Sequence, residues 1–403
     1  MDAKTLLHGL FSRARGDPFV VTYWDGCTYR YGEEGEPVFT VKLLKPVDIG
    51  AFIENMALAF GEAYMNGDIE VEGDLADLVA MALRNIALEA TWRQRRALRV
   101  LGRVAGHAKR SLRKQQEDVA AHYDLGNAFF RLWLDETMTY SCAFFRTPND
   151  TIEEAQRNKM DYSLKKLRLR PGETLLDIGS GWGALILRAA EKYGVYAMGI
   201  TLSREQYNAS LDAIKARGLE DRVQVRLQHY QQLADEGLTF DKIISIGMIE
   251  HVGKAHLKEF VSCVRKLLAP QGVALLHHIT LRTPTPEYAL HTISWEQKYI
   301  FPGGYIPTLP EMLTHLSEQG FIVLDVENLR PHYRLTLDRW SERFEQNVEK
   351  VRAMYGERFV RMWRLYLRGA SAAFRVGTHG VHQTLVSKEV IHSLPLTRAD
   401  ICP

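Results

Sequence analysis

Short apolar runs and amphipathic stretches alternate along the chain from about residue 171 onward. The runs have the length of buried strands, and the stretches repeat apolar residues every three or four positions, which is typical of helices. The predicted strands lie at 174–178, 195–201, 223–227, 240–246, 272–279, 321–326 and 381–386. Helices are predicted at 182–193, 203–217 and 254–268, with a helical insertion rich in arginine and aromatic residues at 337–374. This alternation predicts an α/β fold whose sheet is doubly wound and mostly parallel.

The first 85 residues follow a different pattern. Val20–Trp24 and Thr28–Tyr31 alternate in polarity, and the Asp25-Gly26 pair between them predicts a β-hairpin turn. Residues 47–83 then show mainly helical spacing. The domains predicted from these changes are a smaller N-terminal α+β domain at 1–85, a basic helical linker at 86–117 and a larger domain at 118–403.

Positive charge is concentrated in one segment, although the formal net charge of the chain is only +2. Residues 84–114 contain ten lysines and arginines against one acid, Glu89. Apolar residues recur there at steps of mostly three and four, so one helix would carry an apolar stripe beside an arginine-rich face. This profile predicts a helix that lies on an anionic membrane surface. The alternatives are a solvated linker helix and nucleic-acid binding, and no recognised nucleic-acid module accompanies the charge.

Composition and cysteine spacing argue against several classes of protein. No apolar run approaches the ~18 residues that a membrane-spanning helix requires, and the N-terminus lacks the apolar region of a signal peptide. We therefore expect a cytoplasmic protein. The four cysteines, Cys27, Cys142, Cys263 and Cys402, are far apart and form no CxxC pair, which argues against a metal site or a disulfide framework.

A glycine-rich loop follows the predicted strand at 174–178. The sequence Asp177-Ile178-Gly179-Ser180-Gly181-Trp182-Gly183 places closely spaced glycines between that strand and a helix. Glycine is needed where a turn is tight and a ligand approaches the backbone. The loop therefore predicts a ligand site, with a glycine turn that binds nothing as the plain alternative.

Three ligands compete for this loop. A P-loop is excluded because Gly-Lys-Ser/Thr is missing, and a dinucleotide is disfavoured because Gly199–Ser203 stands where an acid would contact the ribose. S-adenosylmethionine has no pyrophosphate and needs only close backbone approach with an acid and polar groups nearby. Asp177, Thr201 and Gln206 are the candidates for those groups.

Further motifs follow one another over residues 118–388. They are His122–Asn127, Tyr140-Ser141-Cys142, the glycine loop, Gly247–Gly253, Leu275–Ile279, Lys298–Gly304 and His332-Tyr333. In this order they resemble the motifs of the cyclopropane-fatty-acid synthases and the related mycolic-acid methyltransferases. Gly61–Gly67 also resembles part of that family's smaller, lipid-engaging domain. The resemblance implies a class I methyltransferase-like fold.

The resemblance also implies an activity. The enzyme would transfer a methylene from S-adenosylmethionine to the cis double bond of an unsaturated phospholipid acyl chain, through methyl transfer, a carbocation and deprotonation by bound bicarbonate. The residues that match the family's bicarbonate site are Cys142, Glu250, His277, Ile279 and Tyr333. The positions that match its cofactor contacts are Tyr140, Ser141, Gly179, Gly181, Thr201, Leu202, Gln206 and Gln228.

A carbocation must be shielded from water, and aromatic faces stabilise a nearby positive charge. The aromatic candidates from the motif regions are Tyr123, Phe144, Phe145, Tyr299 and Phe301. Two positions depart from the family pattern. Ser180 stands where many members have cysteine, and His229 stands where aspartate is commoner, so the usual acid near the adenine edge is absent.

Alternative functions share parts of this prediction. The same first step would give a methyl-branched or methylene fatty acid if the ring did not close, and the acceptor would be another hydrophobic molecule if no acyl chain were bound. A non-catalytic lipid-binding protein would use the basic segment and the N-terminal domain. The resemblance further suggests a homodimer, and the basic segment suggests peripheral association with the inner face of the membrane.

Overall fold

The computed structural model describes residues 2–89, 125–284 and 294–401. These residues form two compact units. The described parts of the first unit are 2–89, 294–300 and 337–378, and those of the second are 125–284, 301–336 and 379–401. Among these residues there is no helix with the length and apolar character needed to cross a bilayer.

The secondary structure of the described residues is as follows. The strands are β1 (Phe19–Thr22), β2 (Thr28–Tyr31), β3 (Phe39–Leu43), β4 (Ile69–Gly73), β5 (Thr174–Ile178), β6 (Tyr196–Thr201), β7 (Val223–Leu227), β8 (Phe240–Ile246), β9 (Leu268–Leu281), β10 (Ile322–Asn328) and β11 (His379–Ser387). The helices are α1 (Ala3–Phe11), α2 (Ile49–Glu54), α3 (Met56–Met65), α4 (Leu75–Glu89), α5 (Asn127–Phe130), α6 (Ile152–Lys166), α7 (Ala184–Tyr193), α8 (Arg204–Ala216), α9 (Tyr230–Asp235), α10 (Leu257–Leu267), α11 (Trp295–Tyr299), α12 (Leu309–Glu318), α13 (Arg330–Gln346), α14 (Val348–Tyr355) and α15 (Glu357–Val376).

The second unit is built on a sheet with the strand order β10-β11-β9-β8-β5-β6-β7. The five strands from β9 to β7 pair in parallel, whereas β11 pairs antiparallel with both β9 and β10. The predicted α/β fold with a mostly parallel sheet is thus confirmed. After β7 the chain returns to the other side of β5 and adds β8 there, so the strand order changes direction between β5 and β8. The loops that follow these two strands therefore border a common crevice.

Helix α6 supports this sheet with a buried stripe. Its N-terminus is fixed by a capping box, in which Thr151 and Glu154 each accept a hydrogen bond from the backbone N–H of the other. The buried positions include four polar residues spaced by three or four along the helix, Gln156, Lys159, Ser163 and Lys166. Buried polar groups need internal partners, so this stripe constrains the residues around it.

The first unit contains a second sheet with the strand order β2-β1-β3-β4. The predicted hairpin is confirmed, because β1 and β2 pair antiparallel and Gly26 takes a positive φ of 83° in their turn. The helical spacing predicted for 47–83 is wrong at 69–73, where β4 pairs antiparallel with β3. Five residues between two helices are too few for their alternation to stand out from helical periodicity.

The helical insertion packs with the N-terminal residues. On α15, the buried Arg361 donates hydrogen bonds to the carbonyl oxygens of Tyr64 at 2.5 Å and Ile69 at 2.6 Å, and to Glu70 Oε1 at 3.0 Å. Its guanidinium lies 4.4 Å from the centre of the Tyr64 ring. Residues 337–378 therefore belong to the first unit, whereas the sequence-based boundaries placed the insertion within 118–403. The predicted membrane-binding segment 84–114 lies outside the described residues from 90 onward.

Gly61 provides a test of packing within the first unit. A Cβ atom at this position of α3 would lie 2.2 Å from Cδ1 of Trp295, whose side chain is buried. We expect Gly61→Ala to lower the free energy of unfolding by about 1–3 kcal/mol, because the indole has no room to move without leaving its packing site. Chemical denaturation followed by circular dichroism measures the change.

Gly369→Ala is the matched control for this prediction. Gly369 also lies inside a helix, α15, and no described heavy atom outside its own stretch of helix lies within 4 Å of the new Cβ position. The control should be neutral or stabilising by up to about 1 kcal/mol, since alanine favours helix more than glycine does. Equal effects of the two substitutions would contradict the packing argument.

Candidate active site

The glycine loop connects the buried end of β5 to α7. The glycines of this loop have positive φ values that residues with a Cβ atom rarely adopt: 87° at Gly179, 55° at Gly181 and 85° at Gly183. A Cβ atom on Gly179 would lie 2.8 Å from Cγ of Met248, whereas one on Gly181 would meet no described atom within 4 Å. Gly181 therefore has open space in front of its backbone, as close approach by a ligand requires.

This space belongs to a cavity in the second unit. The structure brings all nine residues predicted for cofactor binding to its wall, namely Tyr140, Ser141, Asp177, Gly179, Gly181, Thr201, Leu202, Gln206 and Gln228. They come from the loop before α6, from the carboxyl ends of β5, β6 and β7 with the loops that follow, and, for Gln206, from the first turn of α8. Residues after β8, including Gly247, Met248 and His251, complete the crevice. The cavity lies where ligands bind in doubly wound sheets.

Two buried ionisable groups face this cavity. Burial raises the pKa of Asp177 to about 7, and the nearby Lys159 partly opposes that shift. Burial lowers the pKa of Lys159 to about 8, while Cys142, Asp135 and Asp177 favour its charged form. Lys159 Nζ donates a hydrogen bond to Ser141 Oγ at 2.9 Å. Lys159 therefore holds the hydroxyl of Ser141 in place and favours the charged carboxylate of Asp177, and both of these residues are predicted cofactor contacts.

The polar contacts at the ends of β6 and β7 are already ordered. Thr201 Oγ1 donates to Gln206 Oε1 at 2.7 Å, and Gln228 Nε2 donates to Glu236 Oε1. His229 lies in the cavity wall, and its Nδ1 accepts a hydrogen bond from the N–H of Gln231 at 3.2 Å, which caps α9. Burial lowers the pKa of His229 to about 4, so its ring is neutral at physiological pH.

Glu250 lies in a short 3₁₀ helix just after β8. Its Oε1 accepts a hydrogen bond from the N–H of Ile279 at 2.7 Å, and its buried Oε2 has no hydrogen-bond partner among the described residues. Burial raises the pKa of Glu250 to about 7. The second oxygen is thus available to a small polar ligand, in either protonation state near neutral pH.

His277 lies on β9, two residues before Ile279, so both residues face the same side of the sheet. Its Nδ1 lies 3.1 Å from Nε2 of Gln383, and its own Nε2 is buried without a partner among the described residues. Burial lowers the pKa of His277 well below its ordinary value, and the positive charge of Lys159 acts in the same direction. The ring is therefore neutral.

Cys142 is fully buried, and burial raises the pKa of its thiol. Its Sγ lies 3.3 Å from the carbonyl oxygen of Ala143 and 4.0 Å from that of Leu329. The N–H of Tyr333 donates to the same Leu329 carbonyl at 3.3 Å. The predicted residues Cys142 and Tyr333 thus share one backbone neighbour, and Cys142 carries a neutral thiol rather than a thiolate.

The aromatic candidates do not form one cluster. Phe144 packs against the rings of Tyr162 and His332, with centroids 4.5 and 4.6 Å away. The N–H of Phe145 donates to Nδ1 of the same histidine at 3.1 Å, and Phe301 contacts His251. Tyr299 belongs to the first unit, where its hydroxyl donates to Glu62 Oε1 at 2.6 Å. Tyr123 lies outside the described residues.

Sequence reasoning missed Lys159, Lys166 and Gln383. The two lysines were detectable, because they occupy the buried stripe of α6 at helical spacing from apolar neighbours, where a charged residue is unusual. Gln383 carried no comparable signal. It is one polar residue in a late strand, and only the pairing of β11 with β9 places it opposite His277.

Comparison with known proteins identifies the family. A family model described as mycolic acid cyclopropane synthetase matches residues 110–384. The chain belongs to this family. A second model, described as a domain of unknown function, matches residues 6–89.

Relatives of the family cover the chain to different extents. A probable fatty acid methyltransferase of Pseudomonas putida is 37% identical over an alignment of 391 residues, and the match covers 95% of this chain and 96% of the relative. Cyclopropane mycolic acid synthase 1 of Mycobacterium tuberculosis is 41% identical over 281 residues, or 67% of this chain and 96% of the relative. The Pseudomonas putida relative therefore shares the N-terminal region as well as the family domain.

Solved structures agree with this assignment. The cyclopropane synthase MmaA2 from Mycobacterium tuberculosis matches with a TM-score of 0.64 and 38% identity, covering 68% of this chain and 98% of that one. Mycolic acid cyclopropane synthase CmaA1 complexed with SAH and CTAB matches with a TM-score of 0.63 and 38% identity, covering 67% and 97%. The protein is an S-adenosylmethionine-dependent methyltransferase of the cyclopropane synthase family, and the expected class I methyltransferase-like fold is confirmed.

Gly181 offers a direct test of the cofactor site. Gly181→Asp would direct a carboxylate into the cavity, so we expect the dissociation constant for S-adenosylhomocysteine to rise about 100-fold or more, equivalent to ~2.7 kcal/mol. Isothermal calorimetry measures the affinity. Gly218→Asp is the matched control, because Gly218 has a φ of 63°, is exposed and does not line the cavity. Unchanged affinity in Gly181→Asp would refute the assignment of the loop.

Glu250 predicts a pH-dependent stability difference. The folded protein keeps a proton on Glu250 up to about pH 7, whereas the ordinary value for the unfolded chain is 4.5. The stability that this proton contributes is therefore full below pH 4.5 and is lost as pH rises toward 7. Glu250→Gln cannot ionise, so its stability relative to the native protein should grow by up to about 3 kcal/mol across that window.

Urea denaturation of both proteins at several pH values measures this difference. Subtracting the two curves cancels the contribution of other titrating groups such as Asp177. A stability difference that stays constant from acid to neutral pH would show that Glu250 is not held protonated by burial.

Proposed function

We propose that the protein forms cyclopropane rings on unsaturated phospholipid acyl chains. The observation that carries the proposal is a pair of buried atoms, Glu250 Oε2 and His277 Nε2, that have no hydrogen-bond partner among the described residues and belong to the unit that also holds the cofactor cavity. Methyl transfer alone needs no such polar site beyond the cofactor. Ring closure does, because a proton must be removed beside a carbocation.

The chemistry explains what the site must provide. When bound, S-adenosylmethionine supplies an electrophilic methyl on a sulfonium. The π electrons of the alkene form a bond to that methyl carbon, the carbon–sulfur bond breaks with its electron pair left on sulfur, and positive charge moves to the acyl chain. Loss of a proton from the transferred methyl then lets its C–H electron pair form the last bond of the ring.

The residues fit a small anion that assists this last step. A bound bicarbonate would supply the base that accepts the proton. Glu250 and His277 would hold it through their unpartnered atoms, with the backbone N–H of Ile279 fixing the Glu250 carboxyl in place. Cys142 and Tyr333 would complete the site as in the family pattern. The neutral Cys142 thiol suits a place beside a cation, because a thiol is a weaker nucleophile than a thiolate.

The substrate class follows from the chemistry of the family relatives and from the sequence. An isolated alkene is a poor nucleophile, so it must be aligned with the methyl group in a pocket that excludes water. Phospholipid chains reach such a pocket only from a membrane surface. We propose that the basic segment 84–114 attaches the protein to the anionic inner face of the membrane, and that the protein acts as a homodimer.

A second product is favoured by one comparison. The relative that covers 95% of this chain is named a probable fatty acid methyltransferase, which does not specify a ring. The carbocation would then lose a proton without closing a ring, which leaves a methylene chain or an unsaturated methyl-branched chain instead. The two products differ in structure after the same first step, so the product itself decides between them.

Product analysis tests the proposed function. The protein is incubated with labelled S-adenosylmethionine, bicarbonate and vesicles of cis-monounsaturated phospholipid. We expect a fatty acid that is heavier by one methylene and that coelutes with a cyclopropane standard. Anionic vesicles at low salt should be the better substrate, because basic residues bind them electrostatically.

Glu250→Gln separates binding from chemistry in the same experiment. It should reduce ring formation about 100-fold or more while leaving the affinity for S-adenosylhomocysteine within about twofold, because Glu250 does not line the cofactor cavity. Recovery of unchanged lipid with the native protein would refute the proposed function. A branched product would select the second candidate, and equal rates on neutral and anionic vesicles at all salt concentrations would exclude the role of the basic segment.

A further inference from the structure

The two ring nitrogens of His277 have different surroundings. Nδ1 is 3.1 Å from Nε2 of Gln383, on the neighbouring strand β11. Nε2 is buried and has no hydrogen-bond partner among the residues that the structure describes. A neutral imidazole carries its proton on one nitrogen only, so the surroundings of Nδ1 decide what Nε2 offers to a ligand.

The side-chain amide of Gln383 can take only one orientation. Lys166 Nζ lies 2.7 Å from Gln383 Oε1, and an ammonium group only donates hydrogen bonds, so the atom that faces it must be the amide oxygen. Ser163 Oγ accepts one hydrogen of Gln383 Nε2 at 3.0 Å. A reversed amide would place its NH₂ group against the ammonium. The remaining hydrogen of Gln383 Nε2 therefore points at His277.

The charge that sets this orientation is itself held in place. Lys166 is buried, and its Nζ also donates to Oε2 of Glu327. Burial lowers the pKa of Lys166, and the ion pair with the Glu327 carboxylate opposes that shift and favours the ammonium form. Lys166 thus remains a donor to Gln383, and the chain of hydrogen bonds runs in one direction, from Lys166 through Gln383 to Nδ1 of His277.

We infer that Gln383, oriented by Lys166, fixes His277 as the tautomer that carries its proton on Nε2. Nδ1 must accept the Gln383 hydrogen, so it carries none, and an imidazolium is excluded because it would place two donors face to face. Nε2–H then points into the site as a permanent donor. Gln383 and Lys166 are positioning residues, and they act on the reaction only through His277.

This arrangement defines what His277 does in the proposed function. The identity of the anion as bicarbonate rests on that proposed function. A donor at Nε2 binds an oxygen of a small oxyanion such as bicarbonate. His277 cannot take up the proton that ring closure releases, because its only lone pair already accepts a hydrogen bond from Gln383. In this arrangement His277 is a hydrogen-bond donor that would hold the anion in place and is not the base of the ring-closing step.

Nitrogen NMR of histidine-labelled protein tests the inference without any turnover. The ¹⁵N shifts and couplings of each ring distinguish a proton on Nε2, a proton on Nδ1 and an imidazolium. His277→Gln identifies the signals of His277 among the 14 histidines of the chain. We expect Nε2 to be protonated and Nδ1 bare in the native protein. A proton on Nδ1 would overturn the inference.

Two substitutions in the same cluster separate the tautomer from general packing. Gln383→Glu replaces the donor by an acceptor, so Nδ1 should gain a proton. Ser163→Ala is the matched control, because it removes a hydrogen bond to the same amide nitrogen but leaves Lys166 to orient the amide. The control should keep the native tautomer. An unchanged His277 spectrum in folded Gln383→Glu would also overturn the inference.

Bicarbonate dependence links the tautomer to function. The bicarbonate concentration for half-maximal activity should rise about tenfold or more in Gln383→Glu and stay near the native value in Ser163→Ala, while KM for S-adenosylmethionine changes little in both. A changed tautomer with unchanged bicarbonate dependence would exclude anion binding by Nε2. If the native protein forms no ring product, the proposed function is wrong. The NMR spectra would still decide the tautomer of His277.

Discussion

The centre of the second unit depends on one requirement, that polar groups on the buried stripe of α6 find partners inside the protein. Gln156 donates to the carbonyl oxygens of Thr139 and Ser141. Three and ten residues further along the helix, Lys159 and Lys166 donate to Ser141 and Gln383. One helix therefore orders the Tyr140–Cys142 segment beside the cofactor cavity and the amide that faces His277. A hydrophobic stripe would pack as well but would order neither.

At Glu250 and His277 the described residues meet this requirement only in part. Each side chain has one atom bonded to the protein and one buried atom without a partner among the described residues. Leaving buried polar atoms unsatisfied costs free energy, and a ligand that bonded to both atoms would remove that cost. The backbone N–H of Ile279 holds the Glu250 carboxyl, and the amide of Gln383 holds the His277 ring. Both side chains are therefore fixed in place when the protein folds.

Local sequence rules together with the family resemblance predicted the cofactor half of the site well. β7 and β8 have their predicted bounds, and the glycine loop lies at the end of β5 with open space at Gly181. All nine predicted cofactor residues line one cavity, because the carboxyl ends of neighbouring parallel strands meet at one edge of the sheet. The aromatic candidates were less well predicted. Phe144 and Phe301 pack against different histidines, since an aromatic residue near a motif serves the core as readily as a site.

The sequence by itself determined the presence of the seven strands of the second unit's sheet, the glycine turn and the family, because each is encoded within a short window or an ordered set of motifs, whereas α6, α9 and α12 were not predicted. The tertiary structure alone decided three further properties: residues 337–378 pack with the N-terminal unit through Arg361, β11 lies between β9 and β10, and Gln383 faces His277. Each depends on residues far apart in the chain. Burial, desolvation and the identity of a hydrogen-bond partner are set by neighbours in space, which periodicity and spacing do not contain.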